Sequence, residues 1–214
     1  NVINMNRMFW NCSYLKSLDL SNFNTSSVII TTYMFAGCIN LTSLNLSHFD
    51  TSQITYMHHM FQGCYSLTIL DITNFNTSNV IYMNDMFHGC KCLTSLNLSH
   101  FKTSNVQEMQ KMFMDCNSLK ILDISNFNTS NVLNMEDMFT SCKELTSLDL
   151  SSFNTISVNN IGNMFKHCIK LTSLNLSNFI TSNVTYMWAV FYNCSSLEYI
   201  DISNFITHNT TRMD

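Results

Sequence analysis

The amino-acid sequence repeats itself with a fixed period of 26 residues. Cysteine recurs with this step from Cys12 to Cys194, and phenylalanine recurs from Phe9 to Phe191, with no insertion or deletion between repeats. Self-similarity at a fixed period of roughly 20–50 residues is the signature of stacked-repeat proteins, and it takes precedence over any local pattern. The sequence therefore predicts a solenoid of about eight repeats, in which each repeat buries its apolar face against its neighbours.

Each repeat combines two local patterns. The run Leu-x-x-Leu-x-Leu/Ile places alternate side chains on one face of a short β-strand. The segment that follows carries Val80, Met83, Met86, Phe87 and Cys90, whose spacing is typical of one face of a short helix or 3₁₀ turn. We therefore expect an α/β solenoid of leucine-rich repeats. One parallel β-sheet is predicted on one face, and short helical or 3₁₀ turns on the other.

The repeat register runs unbroken through residues 1–214, which predicts a single solenoid domain. The chain has no proline and four glycines, so no linker or domain boundary is indicated. Both ends fall inside repeats, at Asn1 and at Asp214. The sequence is therefore interpreted as a segment of a longer protein.

The cysteine column admits three interpretations. Buried thiols would act as small apolar core side chains. Disulfides are disfavoured because in-register positions send their Cβ atoms in parallel directions, and zinc is disfavoured because paired short spacings are missing. A nucleophile is excluded because eight equivalent positions cannot all be an active site. We expect a structural core ladder, with no metal and no cofactor, formed by Cys12, Cys38, Cys64, Cys90, Cys116, Cys142, Cys168 and Cys194.

A polar column alternates with the strand leucines and is therefore expected to face outward. It carries an acid or amide, followed two residues later by a hydroxyl. These columns are the candidate binding surface, with a hydrogen-bonding ladder that keeps the strands in register as the structural alternative. The acid or amide positions are Asp19, Asn45, Asp71, Asn97, Asp123, Asp149, Asn175 and Asp201. The hydroxyl positions are Ser21, Ser47, Thr73, Ser99, Ser125, Ser151, Ser177 and Ser203.

Composition limits the function classes. Charged residues make up 11% of the chain, against about 25% in ordinary domains, and the net charge is −4. A chain without a basic patch is not expected to bind nucleic acid. No run approaches the roughly 18 consecutive apolar residues of a transmembrane helix, so no direct membrane insertion of this segment is expected. No phosphate-binding loop or hydrolase motif occurs, and no catalytic residues are predicted.

The stretch MFQGCYSLTILDITNFNTSNVIYM, residues 60–83, resembles the repeat of the BspA-like leucine-rich-repeat surface proteins. That repeat reads M-F-x-x-C-x-x-L-x-x-L-D-L-S-x-F-x-T-S-x-V-x-x-M, and the resemblance covers essentially the whole chain. The nearest structural class is the Treponema-type leucine-rich repeat. The resemblance implies a surface-displayed or secreted protein without enzyme activity, whose partners are extracellular-matrix components, host proteins or other microbial surface proteins.

The predicted function is accordingly a noncatalytic adhesion or recognition module at the cell surface or in secreted form. Two alternatives stay open. The first is a structural protein that self-associates through its solenoid ends into filaments. The second is an intracellular scaffold that binds proteins in the cytoplasm, which the unpaired cysteines favour because free thiols are typical of reducing compartments.

Overall fold

The structure is a computed structural model and describes residues 2–213. Its strands are three residues long and pair in parallel with the equivalent residues of the next repeat, so that Leu44 pairs with Leu70. Equivalent positions therefore stack on one another, which confirms the leucine-rich-repeat solenoid. The strands are β1 (Ser43–Asn45), β2 (Ile69–Asp71), β3 (Ser95–Asn97), β4 (Ile121–Asp123), β5 (Ser173–Asn175) and β6 (Tyr199–Asp201).

The strands form where the leucine alternation predicts them. In β1 the central Leu44 is buried, whereas Ser43 and Asn45 on either side are exposed. The side chain of Leu46, two residues further on, is fully buried as well. Period-two burial of this kind places one row of side chains in the core and the other on the outer face.

The expectation of one continuous sheet was wrong for the described residues 2–213. They contain three separate two-stranded sheets, β1–β2, β3–β4 and β5–β6. Each sheet joins a strand that ends in asparagine to a strand that ends in aspartate in the next repeat, as Asn45 pairs with Asp71. Phenylalanine rings just after the strands are 6.5 Å apart both for Phe179 and Phe205, in paired repeats, and for Phe75 and Phe101, in unpaired ones. Ring spacing therefore does not set the interruption.

The turn side contains no α-helix or 3₁₀-helix within residues 2–213, so the predicted short helical or 3₁₀ segments were wrong. Successive single turns replace them. The amide of Cys64 bonds to the carbonyl of Phe61 within the repeat, whereas the amide of Phe61 bonds to the carbonyl of Met86 in the next repeat. His59 and Gly63 have φ values of 58° and 71°, in the left-handed region that ends a right-handed helix.

A continuous backbone ladder runs along this turn side instead. Bridges link one residue of each repeat with its equivalent in the next, and Tyr56, Tyr82 and Glu108 are three successive members. The ladder extends from Asn4 to Arg212. The turn side therefore supplies the uninterrupted hydrogen bonding that the strand side lacks.

Stacked columns of identical side chains form the core. Phe61 and Phe87 are fully buried, and their rings lie 5.7 Å apart at an interplanar angle of 12°. The methionines Met60 and Met86 are also fully buried beside them. Methionine suits this position because its flexible thioether fills gaps and makes favourable contacts with aromatic rings.

Candidate recognition surface

The predicted binding columns lie on the outer side of the strands, and their side chains bond to one another. The Oδ1 atom of Asn97 accepts a hydrogen bond from the backbone amide of Ser99 at 3.0 Å and one from the Ser99 hydroxyl at 2.7 Å. This is an Asx turn, which ends each strand. The backbone amide bond recurs in every repeat, at Asp19, Asn45, Asp71, Asn97, Asp123, Asp149, Asn175 and Asp201.

These hydrogen bonds also stabilise the ionised form of several aspartates. The backbone amide of Ser151, followed by its hydroxyl, lowers the pKa of Asp149. The hydroxyl and then the amide of Ser203 lower the pKa of Asp201 in the same way. The acid or amide and the hydroxyl thus bond to each other within one repeat, and these bonds do not themselves link neighbouring strands.

Exposed apolar side chains stand at the first position of three strands, and sequence reasoning missed them. Ile69, Ile121 and Tyr199 are 65%, 67% and 62% exposed. The same column carries Ser43, Ser95 and Ser173 in the strands that pair with them. The sequence contained a signal for these residues. An outward column that changes from serine to isoleucine or tyrosine adds apolar side chains that cannot pack in the core. These three residues are named the apolar row below.

The cysteine column lies mainly in the core. Cys38, Cys64, Cys90, Cys116, Cys142 and Cys168 are buried. The thiol of Cys116 donates to the carbonyl of Phe87 at 3.2 Å, and burial raises its pKa to about 12. Because the thiolate is the reactive form, such a thiol is inert in the folded protein.

The two ends of the cysteine column depart from the expectation. Cys12 is exposed, and Cys194 is partly buried, because each lies in a terminal repeat that has a neighbour on one side within the described residues. Cys92, which lies outside the column, is exposed as well. All nine cysteines are free thiols in this structure.

A polar cluster occurs on the turn side. Nδ1 of His88 lies 2.9 Å from Oδ1 of Asp85, and Nδ1 of His59 lies 3.7 Å from Oδ2 of the same carboxylate. Burial lowers the pKa of His59, which favours its neutral form. Residues 2–213 contain no group of three or more His, Cys, Asp or Glu side chains that could hold a metal ion. Asp85 is buried, and His88 pairs with its carboxylate from a partly exposed position.

Comparison with known families identifies the repeat. The model of the family described as "Mycoplasma protein of unknown function, DUF285" matches residues 1–70, 43–146 and 115–214, which together span the chain. The chain belongs to the DUF285 family. Comparison with curated proteins gives no match.

Two solved structures are similar to this DUF285 chain. One is a leucine rich cell surface protein from Faecalibacterium prausnitzii A2-165, with 15% identity and a TM-score of 0.35 over 92% of this chain and 68% of that one. The other is a leucine-rich repeat protein from Bacteroides ovatus ATCC 8483, with 17% identity and a TM-score of 0.34 over 81% of this chain. The present chain spans 58% of the length of that second protein. No helix within residues 2–213 is long and apolar enough to cross a membrane.

Proposed function

We propose that this chain is a noncatalytic recognition module of a cell-surface or secreted protein, of the BspA-like kind, and that it binds extracellular-matrix proteins through the strand side of the solenoid. The observation that carries this proposal is the apolar row. Ile69, Ile121 and Tyr199 are each more than 60% exposed on a side of the molecule whose other columns are polar.

The spacing of the apolar row suits a protein partner. Ile69 and Ile121 are two repeats apart along the solenoid. Tyr199 lies three repeats further along. Isolated apolar side chains within a polar surround resemble the anchors of protein interfaces, where a few residues supply most of the binding energy and the polar rim excludes water.

The Asx turns give this side of the solenoid its rigidity. The Asx turns at Asp71, Asp123 and Asp201 fix the backbone at the ends of β2, β4 and β6, so the outward side chain two residues before each of them keeps its direction. Binding by a rigid surface costs little conformational entropy. The predicted polar columns therefore support recognition by holding the surface in place, and the apolar row is proposed to make the main contacts.

The test is binding to surfaces coated with a solubilised extracellular-matrix preparation. The double variant Ile69→Ser, Ile121→Ser should fold normally, because the same column carries Ser43 and Ser95. Burying one isoleucine contributes about 1.5–3 kcal/mol, so the double variant should bind at least about tenfold more weakly. The matched control is Leu133→Ser, which removes a 40% exposed aliphatic side chain away from the strand side.

The outcomes separate the candidate functions. Loss of binding in the double variant, with Leu133→Ser unchanged, supports recognition by the strand side. Equal weakening in both variants would contradict it. If the unaltered protein fails to bind matrix but sediments as concentration-dependent assemblies, self-association through the solenoid ends becomes the better account.

A further inference from the structure

A groove on the turn side interrupts the regularity of the solenoid. It has a volume of about 270 Å³ and lies along the repeats between Trp10 at one end and Asp115 at the other. Gly37, Gly63 and Gly89 form its floor, at equivalent positions of three successive repeats. A binding site that occurs once in a repeat protein requires residues that differ from those of the other repeats. In this column the difference is glycine, which occurs in three successive repeats.

The backbone does not require glycine in this column. All eight members have positive φ, including Asn11 at 59°, Asp115 at 57° and Asn193 at 56°. Packing does not require glycine at the centre of the groove either, because a Cβ atom added to Gly63 would meet its nearest neighbour at 3.7 Å, an ordinary contact. The space that a side chain would occupy at Gly63 is the groove itself.

The walls offer one face for stacking and a mixed set of hydrogen-bonding groups. The Trp10 side chain is 51% exposed. The Arg7 guanidinium carbon lies 5.3 Å from the centroid of the Trp10 ring, so a ligand would stack on the other face of the indole. Tyr65 and Lys91 border the groove from a second column, and Lys91 Nζ lies 4.4 Å from the centroid of the Tyr65 ring. Gln62 and His88 belong to the same column as Trp10, and Gln62 Nε2 lies 3.3 Å from His88 Nδ1.

The charges in the groove oppose a simple ion as the ligand. Asp115 Oδ2 lies 3.8 Å from His88 Nε2, so a carboxylate borders the groove beside the histidine and would repel an anion. Lys91 borders the groove too and would repel a cation. A neutral ligand that both donates and accepts hydrogen bonds matches a lysine, an amide and a carboxylate together, and hydroxyl groups do both.

We propose that this groove binds a neutral saccharide, with one sugar ring over the glycine floor and against the indole of Trp10. The groove volume of about 270 Å³ lies just below that of typical ligand pockets, about 300–1,000 Å³, so a single sugar ring is the largest unit expected to fill it. The site goes beyond protein recognition by the strand side and does not depend on it, because the two surfaces share no residue.

The experiment uses the indole N–H signals in a ¹H–¹⁵N spectrum, since the chain has two tryptophans. Trp10→Phe assigns the signal of Trp10 and leaves that of Trp188. The probes are the methyl glycosides of glucose, galactose, mannose, N-acetylglucosamine and N-acetylgalactosamine. At least one of them should shift the Trp10 signal with saturation at millimolar concentration and leave the Trp188 signal in place.

Two variants fill or strip the groove. Gly63→Asn places in the column a residue that already occurs there at Asn11 and Asn193, and it should weaken binding at least tenfold. Gln62→Ala introduces the residue that Ala36 supplies at the equivalent position of the preceding repeat, and it should weaken binding as well. The test therefore does not depend on the folding of a single variant. Tyr192→Ala is the control for the exposed ring, because Tyr192 is the counterpart of Trp10 in the last repeat and is 60% exposed.

The proposal is overturned if no glycoside shifts the Trp10 signal, or if both tryptophan signals move together. It is also overturned if the folded groove variants bind as tightly as the unaltered protein. Failure of matrix binding through the apolar row would leave this result unaffected, so the two proposals are tested separately.

Discussion

The side chain of Thr103 pairs with the backbone of Asn128 in the next repeat in the way that one strand pairs with another. Its hydroxyl donates to the Asn128 carbonyl at 2.9 Å and accepts from the Asn128 amide at 2.8 Å. Thr103 is 1% exposed, and the same pairing recurs from Thr51 to Thr181. A buried threonine column thus carries hydrogen bonding between repeats where the strands have already ended.

Thr103→Val tests this pairing, because valine has the shape of threonine without the hydroxyl. The amide and the carbonyl of Asn128 would both lose their partner in a partly buried place. The free energy of unfolding should fall by about 1–3 kcal/mol, measured by urea denaturation. Ser104→Ala, at the exposed neighbour, is the control and should change stability by less than about 0.5 kcal/mol.

Thiol reactivity should divide the cysteines into two classes. In the folded protein at pH 8, Cys12 and Cys92 should react with iodoacetamide because they are exposed, and Cys194 should react slowly. The six buried cysteines should react only after unfolding, as intact mass would show. Rapid native modification of Cys90 or Cys116 would contradict the buried ladder.

Replacement of one buried thiol tests its packing. Cys116→Ser puts a smaller, more polar group beside the Phe87 carbonyl in an apolar core, and we expect a loss of about 1–3 kcal/mol. The urea denaturation midpoint measures the loss. Cys92→Ser is the matched control at an exposed position, and its midpoint should stay unchanged.

Stability should decrease at alkaline pH. Burial raises the pKa of Cys116 and Cys168 from 9.0 to about 12, so the unfolded chain loses these protons at lower pH than the folded protein. Because the unfolded state then binds fewer protons, the free energy of unfolding is fully retained below pH 9 and falls as the pH rises toward 12. Each such thiol contributes up to about 1.4 kcal/mol for each pH unit in that window.

The single variant Cys116→Ala isolates this effect. Denaturation is measured between pH 8 and pH 10.5. The free energy of unfolding should decrease less steeply with pH for Cys116→Ala than for the unaltered protein, because the variant lacks one ionisable thiol. Identical slopes would mean that the Cys116 thiol ionises as readily in the folded state as in the unfolded chain.

The Asx turns make an acid–amide comparison possible within one column. Asp149→Asn should keep the hydrogen bonds with Ser151, as Asn97 does with Ser99, whereas Asp149→Ala removes them and should lower stability by about 0.5–1 kcal/mol. Because the folded pKa of Asp149 is lowered, its stabilising effect is complete above its ordinary pKa and is lost as pH falls through the folded value. Asp149→Asn should remove that acid dependence, as denaturation at pH 3 and pH 6 would show.

The sequence was sufficient for the solenoid, since an unvaried 26-residue step forces equivalent residues such as Phe61 and Phe87 to stack. It was insufficient for the turn side. His59, Asp85 and Lys111 adopt positive φ although only glycine and asparagine mark that conformation reliably, so their spacing indicated a helix. The interruption between β2 and β3 was not predicted, because the leucine column that includes Leu44, Leu70 and Leu96 runs through it unbroken.

The polar columns lie on the outer side of the strands, as their alternation with the leucines predicted, but the hydrogen bonds within each repeat were not predicted. An acid or amide followed two residues later by serine or threonine is itself the signature of an Asx turn, as Asn97 and Ser99 show. Ile69 and Ile121 lie in a column that carries Ser43 and Ser95 in the paired strands, and this change within one outward column is the signal in the sequence. The groove over Gly63 could not be predicted from the sequence, because it combines residues from five successive repeats.

Hydroxyl-radical footprinting of the complex with extracellular-matrix protein tests the central claim most directly. Side-chain oxidation is measured by mass spectrometry with and without the matrix preparation. The account predicts that binding protects Ile69, Ile121 and Tyr199 and leaves Leu133 and Tyr186, which is 48% exposed on the turn-side ladder, as reactive as before. Protection of Leu133 and Tyr186 with an unprotected apolar row would contradict recognition through the strand side.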